Sequence, residues 1–283
     1  MVISSKAQVK LFKQAPLPFI GQKRNFLRHF MKVLDENIEG QGESWTIIDV
    51  FGGSGLLAHH AKQLKPNARV IYNDFENYAH RLAHIEDINR LRRLLSDLLK
   101  DVPIKGRIDK KTRNLVIEVI RNFDGYIDLN SLQTWLLFSG ATLENLNQLY
   151  KEAALYNRVR KNDYPLAASY LDGIEVVSKS FDALLPEHVN NKNTLLVLDP
   201  PYLFSEQKAY RKAEEFRFIS FIRLMTLIRP PFILFSNKHS EIIEYLDYMT
   251  EQKNERFKGY DFVSINAHVN TGHRYEDYLI FKF

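Results

Sequence analysis

The chain has 283 residues, 39 Lys plus Arg against 34 Asp plus Glu, a formal net charge of +5 and a pI near 9.1. With 45% hydrophobic and 26% charged residues the composition is globular and excludes disorder, a collagen-like repeat or a coiled coil, while the absence of cysteine excludes disulfide scaffolds, Cys-ligated zinc and thiolate nucleophiles. No apolar run of about eighteen residues and no charged-then-apolar leader is present, so neither a membrane span nor secretion is expected, and a cytoplasmic location is the expectation.

In chain order, Pro18-Phe-Ile-Gly-Gln-Lys-Arg24 precedes a predicted helix over Asn25–Leu34. Lys23 is placed to meet a carboxylate or a phosphate, or to be a plain surface lysine. Trp45–Phe51 reads as a strand, Leu56–Leu64 as a helix, and Arg69–Asp74 as a second strand, with Pro66-Asn67 as the break. Strand, tight turn, helix and strand over about thirty residues form a βαβ unit. Its loop, Asp49-Val-Phe51-Gly52-Gly53-Ser54-Gly55, lacks the G-x-G-x-x-G spacing. It still lets the backbone approach a ligand at the carboxyl end of a strand and opens a helix whose amino terminus favours anionic groups. Asp74, at the end of the second strand, is placed to accept hydrogen bonds from both hydroxyls of a ribose. Together these features suggest a nucleoside cofactor without saying which.

Residues 76–172 read as a helical insertion. His84–Leu99 carries apolar residues at spacings of three and four, and Asn114–Phe123, Ser131–Phe138 and Thr142–Tyr156 repeat the theme. Positive charge gathers here: residues 81–121 hold eleven Lys/Arg and six Asp/Glu, an excess equal to the net charge of the whole chain. Arg90, Arg92, Arg93, Lys105, Arg107, Lys110, Lys111 and Arg113 are the densest part, and a basic knot follows at Arg158, Arg160 and Lys161. A charge run is ordinarily a solvated helical face; its segregation into one segment points to a nucleic-acid surface. Asn122–Asp128 echoes a calcium loop, but counting back puts Ile120 in its first ligand position and Ser131 in its last. A turn before a helix capped by Asn130 or Ser131 is expected instead. His80 and His84 lie one helical turn apart without a third ligand, and no metal site is expected.

A second β block follows: Gly173–Ser178, Thr194–Asp199, Phe232–Asn237, about Tyr260–His268 and Asp277–Phe283. The Thr194 and Phe232 segments are apolar on both faces, as buried parallel strands are. The last two strands, joined through Asn270-Thr-Gly-His273, read as an antiparallel hairpin. An α/β sheet with a helical insertion accounts for this order.

The segment with the most chemistry is Asp199-Pro200-Pro201-Tyr202, directly after an apolar strand. Consecutive prolines form a stiff corner and leave carbonyls free as acceptors. The Asp199 carboxylate, the Pro200 carbonyl and the flat face of Tyr202 supply two acceptors and a stacking surface, which suit an exocyclic amine on a planar base.

Taken together, these residues resemble the Dam-like class of DNA adenine-N6 methyltransferases. Pro18–Lys23 is similar to that class's amino-terminal cofactor motif, Asp49–Gly55 to its glycine loop, Asp74 to its ribose-binding acid, and Asp199–Tyr202 to its catalytic D-P-P-Y. The resemblance implies a Rossmann-like, seven-stranded, mostly parallel methyltransferase sheet with an antiparallel C-terminal hairpin. It implies S-adenosylmethionine as cofactor, with Phe19, Lys23, Asp74 and Asp199 lining its site and Ser180-Phe181 at the adenine ring. It also implies double-stranded DNA as partner, adenine rotated out of the duplex for methylation, and a cognate restriction nuclease in a restriction–modification setting; a monomer is expected. Residues 1–75 and 173–283 would form the catalytic domain and 76–172 a target-recognition insertion, which resembles no recognition domain of the class. Asp49-Val-Phe stands where Glu-Pro-Phe is more usual. Lys208, Arg211 and Lys212, after the corner, are further candidate phosphate contacts. Cytosine-N4, an RNA base or a glutamine side chain as acceptor, or a non-catalytic DNA-binding relative, are the competing readings.

Overall fold

A computed structural model describes residues 11–138, 141–188, 191–203, 216–238, 240–269 and 273–283. Lys208, Arg211, Lys212 and the Asn270–Gly272 turn lie outside the described residues. The chain divides into two compact units. The first holds Gly21–Tyr78 and Ser169–Phe283 with the described residues up to Gln14; the second holds Ala15–Ile20 and Ala79–Ala168.

In the first unit, a short 3-10 turn leads into α1 (Leu27–Asn37). Its buried Leu27, Phe30, Val33 and Leu34 follow the three-and-four spacing of an amphipathic helix. The strands are β1 (Thr46–Asp49), β2 (Arg69–Asn73), β3 (Ile174–Val177), β4 (Thr194–Leu198), β5 (Phe232–Asn237), β6 (Asp261–Val269) and β7 (His273–Lys282). They form one sheet in the order β3-β2-β1-β4-β5-β7-β6. The first five run parallel, and β7 is antiparallel to both β5 and β6, which is a Rossmann-like methyltransferase sheet. Every residue of β1 and β4 is buried, so these central strands lack the in-out alternation of a half-solvated strand. Helix α2 (Leu56–Leu64) links β1 to β2. Neighbours of β1 depart in both directions, to β2 on one side and β4 on the other. The sheet therefore has a switch point between β1 and β4, and ligands of open α/β sheets bind in the crevice outside the carboxyl ends of such strands.

In the second unit lie most of α3 (Tyr78–Ala83), then α4 (Ile85–Leu98), α5 (Lys110–Arg121), α6 (Leu129–Leu136) and α7 (Leu146–Lys151). Their apolar faces bury Ile88, Leu91, Leu95, Val116, Ile120, Leu132 and Trp135. Side-chain caps start three of them: Asp109 on α5, Asp128 on α6 and Asn145 on α7. The cap of α6 is thus Asp128, two residues before Asn130 and three before Ser131. Ser131 donates to it through both its backbone N–H at 2.9 Å and its hydroxyl at 2.7 Å. The periodic segment Thr142–Tyr156 is helical only over Leu146–Lys151. Arg113 takes the Tyr150 and Glu152 carbonyls at 2.7 and 2.8 Å, and the chain then runs extended, with Tyr156 bridged to Arg107. Tertiary bonding overrides the periodicity there.

The sheet unit is completed by α8 (Phe181–Leu184), α9 (Phe218–Leu227) and α10 (Glu241–Glu251). Among the described residues no helix is long and apolar enough to cross a membrane.

Candidate active site

At the switch point two segments leave the sheet side by side. Asp49 ends β1 opposite Val197 of β4, and Asp199 follows two residues later on the neighbouring strand. The loop after Asp49 is held by its own geometry. A Cβ on Gly52 would sit 2.3 Å from the Tyr72 ring, and Gly55 has φ +68°, a left-handed conformation that suits glycine. Gly55 donates its N–H to the Gly52 carbonyl at 2.7 Å, closing the turn before α2.

Tyr72, buried on β2, fills the space beneath the loop. Its hydroxyl lies 2.7 Å from the Gly53 carbonyl and 3.0 Å from the Asp74 carboxylate. Burial, reinforced by the Asp74 charge, pushes its phenol well above the usual range, so it stays a neutral donor. Asp74 also accepts the Tyr78 N–H at 2.6 Å. Asn73 donates to the Val50 and Lys179 carbonyls and accepts the Lys179 N–H, each at 2.9 Å. That one side chain ties the ends of β1, β2 and β3 together and fixes where the chain turns towards Ser180 and Phe181. Neither Tyr72 nor Asn73 stands out in the sequence, where both read simply as strand residues.

Asp49 carries the strongest electrostatic signature. Both its carboxylate oxygens are buried without a hydrogen-bond partner. Burial, followed by the neighbouring Asp199 charge, raises its pKa from 3.8 to about 7. The Ala58 backbone N–H eases that rise without forming a full hydrogen bond. A buried carboxylate so weakly compensated is costly, and a cationic group of a ligand would relieve that cost.

Asp199 is paired with the ammonium of Lys23, the side chains being 17% and 16% exposed. Burial raises the Asp199 pKa and Lys23 opposes the rise. Lys23 thus meets the carboxylate of the proline corner, and its ammonium also lies 5.7 Å from the Phe235 ring centroid. Asp277 on β7, opposite Asn237 in the ladder, feels the charges of both Lys23 and Asp199, and burial raises its own pKa. It was not among the sequence candidates, because a strand acid near the chain end carries no motif.

Pro200 is buried; Pro201 and Tyr202 are half-buried, with Tyr202 packed at the margin of the core that includes Leu198 and Phe216. Phe51, Phe181 and Phe216 form a mutual aromatic cluster with ring centroids 5.8–5.9 Å apart. Ser180 is exposed and precedes α8 without a side-chain cap bond. Phe19, half-buried, belongs to the second unit.

The candidate DNA contacts divide by environment. Lys105, Arg107, Lys110, Lys111 and Lys161 are exposed. Arg93 is exposed but paired with Asp163 at 2.5 Å. Arg90 lies 3.2 Å from Asp87 and over the Phe123 ring, and Arg160 lies over the Tyr164 ring. Three candidates are instead occupied inside their own unit. Arg92 is 5% exposed and donates to Asp163 and to the Arg160 and Lys161 carbonyls at 2.9–3.0 Å. Arg113 caps α7, and Arg158 donates to the Leu137 carbonyl at 2.9 Å. In these three the guanidinium donors are engaged by backbone carbonyls of their own unit, which leaves fewer of them for a phosphate. His80 meets the Tyr126 ring edge-on and His84 lies tilted against it.

A mostly parallel sheet with a glycine loop after β1, an acid after β2 and a proline corner after β4 is the arrangement of a methyltransferase. The chain belongs to the D12 class N6 adenine-specific DNA methyltransferase family, whose pattern matches residues 19–229. It is also 51% identical over 281 residues to a Haemophilus influenzae (strain ATCC 51907 / DSM 11121 / KW20 / Rd) protein named "Putative methyltransferase", covering 98% of this chain and 95% of that protein.

Proposed function

We propose that the protein transfers a methyl group from S-adenosylmethionine to the N6 amine of an adenine rotated out of double-stranded DNA. The observation that carries this reading is the juxtaposition, at one sheet switch point, of the Asp199-Pro-Pro-Tyr202 corner with the partnerless Asp49 carboxylate and the glycine loop.

The residues fit the donor. When bound, S-adenosylmethionine supplies an electrophilic methyl on a positively charged sulfur. Asp49 offers buried negative charge to a cationic group of that donor, Asp74 offers acceptors to ribose hydroxyls, and the Phe51–Phe181–Phe216 cluster offers an apolar face to a flat ring. On the acceptor side, the Asp199 carboxylate and the Pro200 carbonyl accept hydrogen bonds from the two N–H groups of the adenine amine. The nitrogen lone pair is thereby aimed out of the ring plane, and Tyr202 stacks on the ring. As the N–CH3 bond forms, the S–CH3 bond breaks to leave a neutral thioether, and the nitrogen gives up one proton to Asp199 or to solvent. No covalent intermediate is needed; orientation and fixed charge do the work. Lys23 opposes the rise that burial imposes on the Asp199 pKa and so favours the ionised, hydrogen-bond-accepting form. Lys105, Arg107, Lys110 and Lys111 of the second unit supply sequence-independent phosphate contacts.

Incubation with labelled S-adenosylmethionine and duplex DNA should place label on adenine N6, and Asp199→Ala should abolish it while the protein stays folded. Label on cytosine N4, RNA or protein would replace the substrate in this reading, and full activity of the variant would overturn it.

A further inference from the structure

Glu241 is the first residue of α10 and is 7% exposed. One carboxylate oxygen accepts the backbone N–H of Leu203 at 2.9 Å, across 38 residues of chain. The other, Oε2, is buried with no hydrogen-bond partner. A carboxylate in so dry a place needs compensation. It receives part of it from its position in the first turn of an 11-residue helix, where the amide dipoles favour negative charge. Leu203 is the residue that follows the D-P-P-Y corner. The upstream end of that corner is set by the β4 ladder and by two prolines whose φ is fixed; on the downstream side the described residues Pro201–Leu203 belong to no strand. A bond to the Leu203 amide fixes the plane of the Tyr202–Leu203 peptide, and with it the direction in which the Tyr202 side chain leaves the backbone.

We propose that Glu241 is a positioning residue for the methyl-transfer reaction, holding the exit of the corner so that Tyr202 presents its ring face to the base. The assignment rests on the function proposed above, because it gives Glu241 a role through Tyr202 and none with cofactor or base directly. Removing the carboxylate leaves the elements of the site present but the stacking face free to swing, and small displacements of a positioning group lower the turnover step. Cofactor binding, built on β1, β2 and their loops, is untouched.

The test compares wild type, Glu241→Ala and Glu241→Gln, with Asp199→Ala as the inactive reference, in steady-state methylation of duplex DNA. S-adenosylmethionine affinity is measured separately by calorimetry. In Glu241→Ala, kcat should fall about 10- to 100-fold, with cofactor Kd within about twofold of wild type and with amide hydrogen exchange at Leu203 accelerated. Glu241→Gln retains an oxygen for the Leu203 N–H and should recover most of kcat. Wild-type kcat in Glu241→Ala, or equal losses in the Ala and Gln variants, would overturn the assignment. So would a loss that appears in cofactor affinity in place of kcat. An inert wild-type protein would instead overturn the proposed function itself, which separates the two failures.

Discussion

The ammonium of Lys23 pairs with the carboxylate of Asp199, joining the segment before the first helix to the corner after the fourth strand. Burial raises the pKa of Asp199, and Lys23 is what pulls it back. A carboxylate with a raised pKa is protonated as pH falls, and a protonated oxygen is a poorer acceptor for an amine hydrogen. Replacing Lys23 by Met removes the opposing charge, so the acidic limb of the pH dependence of kcat/KM should move to higher pH. Activity should fall at least several-fold at pH 6 and less at pH 8. An unmoved acidic limb would show that Lys23 does not govern the ionisation of Asp199.

Asp49 gives a stability prediction of the opposite sense to that of a salt-bridged acid. Its folded pKa of about 7 lies above the ordinary 3.8, so the folded state holds this proton more tightly than the unfolded chain. The cost of ionising it in place is absent below pH 4, grows as pH rises, and is complete above about pH 7. The ligand-free protein should therefore lose about 2–4 kcal/mol of stability from this group between pH 4 and pH 8. Asp49→Asn should remove most of that loss, as read from urea unfolding midpoints, while weakening S-adenosylmethionine binding.

Tyr72→Phe deletes one hydroxyl that serves both Gly53 and Asp74. The ring that fills the space beneath Gly52 stays, so packing and fold persist. A hydrogen bond to a charged group is worth about 1.5–3 kcal/mol, and cofactor affinity should weaken about 5- to 10-fold in calorimetry, with the thermal midpoint lowered by no more than a few degrees. An unchanged Kd would mean that the loop and the acid hold their geometry without the bridge.

The basic residues of the second unit should separate into two classes on mutation. Lys110→Ala with Lys111→Ala removes exposed charge and should weaken DNA binding across sequences, reducing the slope of log affinity against log salt by about 2. Arg92→Ala leaves the Arg160 and Lys161 carbonyls without their donor and Asp163 with Arg93 alone; it should lower the thermal midpoint, a loss of about 1–3 kcal/mol. Equal stability of Arg92→Ala and wild type would contradict the internal role assigned to Arg92.

Much of the sheet and the site was legible because each carries a local signal. The buried strands are uninterrupted apolar runs, and the glycine loop and D-P-P-Y corner sit at their carboxyl ends. Phe232–Asn237 and Leu56–Leu64 fall on the elements observed. What escaped was set by tertiary partners. Arg92 and Lys110 are equally basic in sequence, and only the packing of α4 against the chain near Asp163 decides that one is internal and the other exposed. Helix α7 stops at Lys151, where Arg113 claims the Tyr150 and Glu152 carbonyls. Tyr72, Asn73 and Glu241 act through single long-range hydrogen bonds, which leave no periodicity or spacing to read.

The second unit is built from two stretches of chain that the first unit separates. Leu17, at 1% exposure, and the Pro18 carbonyl, bonded to Arg81 at 2.9 Å, come from the short stretch. Arg81 in turn grips Asp128 through two contacts of 2.8 and 3.0 Å. Exchanging Ala79–Ala168 alone between relatives would part Arg81 from the Pro18 carbonyl and leave the buried Leu17 behind. A working chimera has to be cut at both ends and carry Ala15–Ile20 along.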